Sequence, residues 1–283
     1  MASLAEFESR TGAHTQCWRI QDRDEILWVR RADVRHLAFP RHFHDDYTVG
    51  LVVRGANRFV YRRRSLVAPA GTLCLADPGE IHTGEADLDG WSYWTLQIPA
   101  GMLTRLRGDL DEGSEAPPDF PVGVIEDPRA VARLAAFFRV FRAADPLERE
   151  SRLLAALGHL VQVHGAERAR DRPHAVEPGL ARSVRDYLAD HLAEAVTLSD
   201  LEQATGAGRY RLLRAFARAY GLPPHAWLVQ ARLERAHALI ARGVGICAAA
   251  SETGFADQPH LTRLFKRAYG YTPGVLARSP QIF

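Results

Sequence analysis

The string RLLRAFARAYGLPP (211–224) returns 49 positions later as HLTRLFKRAYGYTP (260–273), with eight of the fourteen aligned positions identical. The identities are Leu212/Leu261, Arg214/Arg263, Phe216/Phe265, Arg218/Arg267, Ala219/Ala268, Tyr220/Tyr269, Gly221/Gly270 and Pro224/Pro273. Two copies are too few for a solenoid, which needs about three. The end of the chain must therefore fold as a pair of similar supersecondary units joined by a connector.

Each copy has the same grammar. A short apolar helix comes first, TLSDLEQAT (197–205) in one copy and GICAAASET (245–253) in the other. Thr197 and Asp200 have capping-box spacing, with Asp in place of the usual Glu or Gln. A tight turn follows at Gly206–Gly208 or at Gly254-Phe255, and then an amphipathic helix closed by Gly221 or Gly270. Helix, short glycine-containing turn, helix is the layout of a helix-turn-helix, here at about 197–221 and 246–270. Leu212 with Phe216, and Leu261 with Phe265, are i,i+4 pairs that pack inward.

The opposite face presents Tyr210, Leu213 and Arg214 in the first copy, and Gln258, Pro259, Thr262 and Arg263 in the second. These residue types suit the major groove of double-stranded DNA. Arg bonds guanine O6 and N7 with both arms, worth about 1–3 kcal/mol of discrimination. Gln pairs with adenine, while Thr, Pro and Leu meet a thymine methyl. Arg211, Arg218, Lys266 and Arg267 flank these positions and suit phosphates, which set register and salt dependence. The connector PPHAWLVQARLERAHALIAR (223–242) places Leu228, Ala231, Leu239 and Ile240 at helical spacing. A rigid helix there would hold two reading heads about 34 Å apart, one turn of the duplex.

Charge agrees with this. Residues 180–283 hold 13 Lys/Arg against 8 Asp/Glu, a balance of +5, whereas residues 1–179 hold 23 against 26, a balance of −3. A basic end on a mildly acidic remainder points to a polyanion.

Residues 180–283 resemble the DNA-binding domain of the AraC/XylS family of transcriptional regulators. The second unit, GFADQPHLTRLFKRAYGYTP (254–273), is similar to the family signature: Gly-Phe, a recognition helix ending in Arg-x-Phe-Lys, then Gly and Thr-Pro. The resemblance implies two helix-turn-helix units on a seven-helix scaffold. It assigns Tyr210, Leu213 and Arg214, and Gln258, Pro259, Thr262 and Arg263, to the base-facing positions. Two departures stand out: Glu202 where the family has a small Ala, and Ala217 where it has a Lys. Both imply weaker binding by the first unit.

The first half reads differently. Up to about residue 98, short apolar alternations are punctuated by Gly and Pro, the pattern of a sandwich or small barrel. DYTVGLVVRGANRFVYRR reads as two strands joined at Arg54–Asn57, and Arg62–Arg64 as a solvated hairpin edge. Residues 108–121, acidic and rich in Pro and Gly, read as a surface loop. Two amphipathic helices follow: Val131, Leu134, Ala135, Phe138 and Phe141 line one, and Leu153, Leu154, Leu157, Leu160 and Val161 the other, with Asp145-Pro146 between them. Residues 166–179 read as a linker. The expected organisation is multi-domain α and β: a barrel at 1–107, a loop and two dimerising helices at 108–165, the linker, and an all-α domain at 180–283.

PRHFHDDYTVGLVVRGANRF and APAGTLCLADPGEIHTG resemble the two motifs of the cupin barrel that forms the sensor domain of many AraC-type regulators. In enzymatic cupins the matching positions supply two His and a Glu, then a third His, to one metal. Here His42, His44 and His82 match, but the Glu position is Thr48. The expectation is therefore no cofactor and no favoured metal, with these three histidines as weak metal candidates. They are expected instead to hydrogen-bond a small-molecule effector or to plug the barrel mouth, a purely structural role for His42 and His44 at a strand start being the alternative, with Tyr47, Arg54, Arg58 and Trp94 as further ligand candidates. The resemblance also implies a homodimer acting with RNA polymerase.

No apolar run approaches the ~18 residues that cross a bilayer. The first residues lack the apolar stretch of a signal peptide. Cys17, Cys74 and Cys247 form no C-x-x-C pair, so a reducing, cytoplasmic setting is expected. Two alternatives to a ligand-controlled regulator stay open: a metal-dependent cupin enzyme fused to a DNA-binding tail, and a constitutive DNA binder with a vestigial barrel.

Overall fold

The computed structural model of the chain describes residues 14–22, 24–35, 38–111, 116–143, 145–167 and 178–282. Most of the expected linker, and residues 112–115 of the expected acidic loop, lie outside the described residues. The chain divides into two units, Met1–Arg168 with Ser279–Phe283, and Ala169–Arg278. The last residues therefore belong with the first half, where the sequence reading had placed them in the C-terminal domain.

Seven strands open the first unit: β1 (His14–Asp22), β2 (Glu25–Val34), β3 (Ala38–His42), β4 (Tyr47–Tyr61), β5 (Arg64–Pro69), β6 (Leu73–Ala76) and β7 (His82–Ile98). Short strands β8 (Pro118–Asp119), β9 (Val124–Ile125), β10 (Ala166–Glu167) and β11 (Gln281–Ile282) complete the set. One nine-stranded sheet runs β11-β1-β2-β7-β4-β6-β9, with β3 on β7 and β5 on β4. β11 pairs in parallel with β1, and Arg19 N–H donates to Pro280 O at 3.1 Å.

Both faces of this sheet are apolar, for different reasons. One carries Trp18, Leu27, Val29, Tyr47, Val49, Leu51, Leu96 and Ile98, packed against three helices: α1 (Ala100–Leu110), α2 (Pro128–Val140) and α3 (Pro146–His164). The other buries Ala32, Val34, Phe39, Val52, Phe59, Tyr61, Ala76, Trp91 and Tyr93, with no helix contributing. A sheet whose second face is buried by its own strands has folded over on itself, as small barrels do.

The sequence reading of β4 needs correction. Arg54–Asn57 is not a turn; the strand runs unbroken from Tyr47 to Tyr61, with register shifts at Val52/Arg54 and Gly55/Asn57. Bulges insert an extra residue and change which face each later side chain takes. Tyr47, Val49 and Leu51 face the helices, but Phe59 and Tyr61 face inward. Gly55 sits at φ 69° against the Gly90 carbonyl, where a Cβ would collide. Bulge and turn draw on the same glycine chemistry, which is why the sequence did not separate them. The Arg62–Arg64 edge is also not simply solvated: Arg62 pairs with Asp77 and with Asp119, each at 2.6 Å. Helix α1, absent from the sequence reading, runs into the expected 108–121 loop and takes residues 108–110, and β8 takes Pro118–Asp119 of it.

Among the described residues the second unit holds seven helices: α4 (Pro178–Asp190), α5 (Leu198–Thr205), α6 (Arg209–Tyr220), α7 (Pro224–Ala241), α8 (Ile246–Glu252), α9 (Gln258–Tyr269) and α10 (Pro273–Ala277). Thr197 and Asp200 form the capping box on α5. Gly206, Gly221 and Gly270 close α5, α6 and α9 in the left-handed conformation that glycine takes without a Cβ clash. Leu212 and Phe216 pack with Val184, Leu188, Leu201 and Leu228. In the second copy Leu261 and Phe265 are equally buried, with the His237 ring stacked on Phe265 at 5.8 Å.

Candidate nucleic-acid interface and sensor interior

The two amphipathic helices α6 and α9 divide as their spacing demands. Their apolar residues are sealed inside, while Tyr210, Arg214, Gln258, Pro259 and Arg263 are exposed and Thr262 is half-buried. Leu213 is also half-buried and packs against the core of its unit, so it offers less surface than its neighbours. The Arg214 guanidinium lies 5.6 Å from the centre of the Tyr210 ring, a cation–π contact that limits its wandering. Of the expected phosphate contacts, Arg211, Arg218 and Arg267 are exposed and Lys266 is half-buried. Burial lowers the Lys266 pKa.

Helix α6 starts at Gly208, which has no side chain to cap it. Glu202 of α5 takes that role: its carboxylate accepts from Arg209 N–H at 3.2 Å and pairs with Arg209 Nε at 2.7 Å. An anion at a helix N-terminus is favoured by the dipole and the orphan N–H groups. The hydrogen bonds with Arg209 hold the Glu202 pKa below the ordinary carboxylate range. The Glu202 departure noted in the sequence thus has a structural role. On α9 the same work is done locally by Asp257, which accepts from His260 N–H at 2.6 Å.

Arg232, in the middle of α7, ties together two segments of the second unit. Nε donates to Leu192 O at 2.7 Å, one terminal nitrogen to Gly254 O at 3.0 Å and the other to Glu194 O at 2.6 Å. It thereby joins the segment after α4 to the turn of the second helix-turn-helix. Gly254 is required there: at φ 74°, a Cβ would come within 2.6 Å of Ala193 O.

In the first unit the three matched histidines do come together. His42 and His82 are paired residues on β3 and β7, with ring centres 4.3 Å apart. The His44 ring lies 4.9 Å from that of His42 and 5.3 Å from that of His82. His42 and His44 are buried and His82 is largely enclosed. Nδ1 of His42 donates to Pro40 O at 2.7 Å and Nδ1 of His82 to Glu80 O at 2.8 Å. That leaves Nε2 of each as an acceptor in the neutral ring. Burial drives the pKa of His44 and of His82 down to about 3, and that of His42 well below its ordinary value. One nitrogen from each ring lies within 4.8 Å of the others, a set that fits three-imidazole coordination of a divalent ion. Thr48, at the carboxylate position, has a buried hydroxyl with no hydrogen-bond partner.

The other ligand candidates do not join them. Tyr47 and Trp94 lie on the helical face: Tyr47 donates to Pro118 O at 2.5 Å, and Trp94 stacks on Phe138 at 5.0 Å. Arg54 and Arg58 are exposed, Arg54 reaching Ser92 Oγ at 3.4 Å. The cation that sequence reasoning missed is Arg30. Its charge bears on His42, His44, Cys17, Cys74 and Tyr93. Its guanidinium sits 5.5 Å from the Tyr93 ring centre. Alternation along β2 was the available signal, since Arg30 shares a face with Ala32 and Val34.

Comparison with known proteins matches residues 28–157 to the AraC-like ligand binding domain and residues 201–279 to a helix-turn-helix domain. The HTH-type transcriptional regulator YbfI of Bacillus subtilis is 29% identical over 227 residues, 79% of this chain and 81% of its own. The arabinose operon regulatory protein of Salmonella typhimurium is 23% identical over 244 residues, 80% of this chain and 82% of its own. ToxT from Vibrio cholerae, a solved structure, superposes with a TM-score of 0.53 over 94% of this chain and 98% of its own, at 11% identity. No helix among the described residues is long and apolar enough to cross a membrane. The family is one of transcription regulators, so the fused-enzyme alternative falls away. With a ligand-binding domain ahead of a helix-turn-helix DNA-binding domain, this chain belongs to the AraC family of transcriptional regulators.

Proposed function

We propose that the chain binds two successive major grooves through α6 and α9, under control of a small effector held inside the rolled sheet. The observation that carries the DNA part is the pair of amphipathic helices, each with its apolar side sealed and with Arg214 and Arg263 at equivalent exposed positions, Arg232 of the connecting α7 being bonded to the turn before α9. Arg214, Tyr210, Arg263, Gln258, Pro259 and Thr262 read bases, Leu213 lends packing, and Arg211, Arg218, Lys266 and Arg267 hold phosphates. Glu202 offsets the weakness otherwise expected of the first unit, because it starts the helix that reads.

For the sensor, three neutral imidazoles with acceptor nitrogens and one guanidinium make a polar set inside an apolar shell. Such a set suits a small molecule carrying both donor and acceptor groups. Two subunits pair through α3, whose outer side leaves Leu147 74% and Leu154 48% exposed, and the DNA-bound dimer acts on RNA polymerase. The effector shifts the population between two arrangements that differ in DNA affinity.

Unbiased selection of duplexes by the full-length protein at moderate salt tests this reading. Recovery of a site spanning two grooves about one turn apart supports it, and recovery of no preferred sequence overturns it. The same selection repeated with small-molecule mixtures separates effector control from constitutive binding.

A further inference from the structure

Helix α2 begins where α3 ends, and three metal-ligating side chains meet at that junction. Asp127 caps α2: its Oδ1 accepts from the backbone N–H of Arg129 at 2.8 Å and of Ala130 at 3.2 Å. Its Oδ2 lies 2.8 Å from Nε2 of His159 and 2.8 Å from Nε2 of His164, both on α3. The three ligand atoms all lie within 4.8 Å of one another. Side-chain exposure is 15% for Asp127, 15% for His159 and 24% for His164.

We propose that Asp127, His159 and His164 form a binding site for a divalent first-row transition ion of the zinc class, separate from the histidines inside the sheet. Two imidazoles and a carboxylate select such ions over magnesium or calcium, which prefer all-oxygen sets. The carboxylate is already oriented, because two backbone donors fix Oδ1 and leave Oδ2 turned toward the imidazoles. Outer hydrogen bonds of this kind aim a ligand and sharpen its affinity. Binding replaces the two Nε2–H···Oδ2 hydrogen bonds by bonds from Nε2 and Oδ2 to the ion; the proton leaves Nε2 of each ring, passing through solvent to Nδ1 in a neutral ring and released to water from a doubly protonated one. Partial exposure gives the ion a way in and leaves a coordination position for water or an outside ligand, as in open zinc sites. The ion would tie the first turn of α2 to the last turn of α3.

Cobalt(II) is the probe. Full-length protein, stripped with chelator and titrated with Co²⁺, should show the visible bands of a low-coordinate site, displaced by Zn²⁺. The double variant His159→Gln/His164→Gln should lose them, while His44→Gln/His82→Gln should keep them. Zinc should also raise the melting temperature of His44→Gln/His82→Gln, in which the enclosed histidine set is removed, by several degrees, and leave that protein unmoved once His164→Gln is added. No bands in the wild type, or bands that survive the double variant, would overturn the site. In either case Asp127 is only a hydrogen-bonded staple. Should the His159→Gln/His164→Gln variant fail to fold, the melting shift and its loss on adding His164→Gln decide alone.

Discussion

Arg263 and Lys266 lie one turn apart on α9 and differ in what they can report. Arg263 is exposed at a position proposed to face the bases, so Arg263→Ala should relax preference at one base pair by about 1–3 kcal/mol. Lys266→Ala should instead weaken all sequences alike and reduce the salt slope by about one. Binding curves on a matched panel of duplexes at several salt concentrations separate the two, and a uniform loss from both would refute the assigned roles. Glu202→Ala should lower the affinity of the first reading head more than that of the second, because α6 loses its start while α9 keeps Asp257. Half-site titrations read that difference directly. The buried and exposed sides of α6 and α9 could be read from spacing alone, since helical period dictates which residues share a side. Arg30 could not, because its importance depends on strands remote in sequence closing around it.

Among the elements, α7 is the connector between the two helix-turn-helix units, and under the proposed function it decides whether they act as one reader. Arg232→Met keeps the apolar stem but strips the bonds to three carbonyls, on Leu192, Glu194 and Gly254. The expected loss is about 1–3 kcal/mol in urea unfolding, since hydrogen bonds to a charged donor exceed neutral ones. Binding to a two-groove site should suffer more than binding to either half alone; equal losses would mean that α7 holds the heads apart without this residue. The helices were legible because each has a strong apolar period and recognisable caps, as Asp145-Pro146 shows. The sheet was only half legible. Period-2 alternation marks a strand but not its partner, and Gly55 marks a departure from regularity without saying whether the chain turns back or merely kinks. Helix α1 carries Leu103, Leu106 and Leu110 at helical spacing, but its end runs into the Gly- and Asp-rich stretch from residue 108 that reads as loop, and that masked it.

For the molecule as a whole, the enclosed histidines set a pH limit on the sensor. His44 and His82 have folded pKa values of about 3, far below the ordinary 6.5. The unfolded chain therefore takes up protons first as pH falls. Their contribution is complete above about pH 6.5 and drains away toward pH 3, by at most about 1.4 kcal/mol per pH unit for each group. Urea midpoints measured from pH 7.5 to 5 should decline, and His44→Gln/His82→Gln should flatten the curve; a wild-type curve already flat would rule out the enclosed, neutral arrangement. The strand β11 carries a practical message. Because Gln281 and Ile282 complete the edge beside β1, cargo fused after them would hang from the sensing half, although the preceding hundred residues are DNA readers. A fluorophore attached there would report on the helix-packed face of the sheet, where Ile282 lies, and purification handles joined there risk tugging on that sheet.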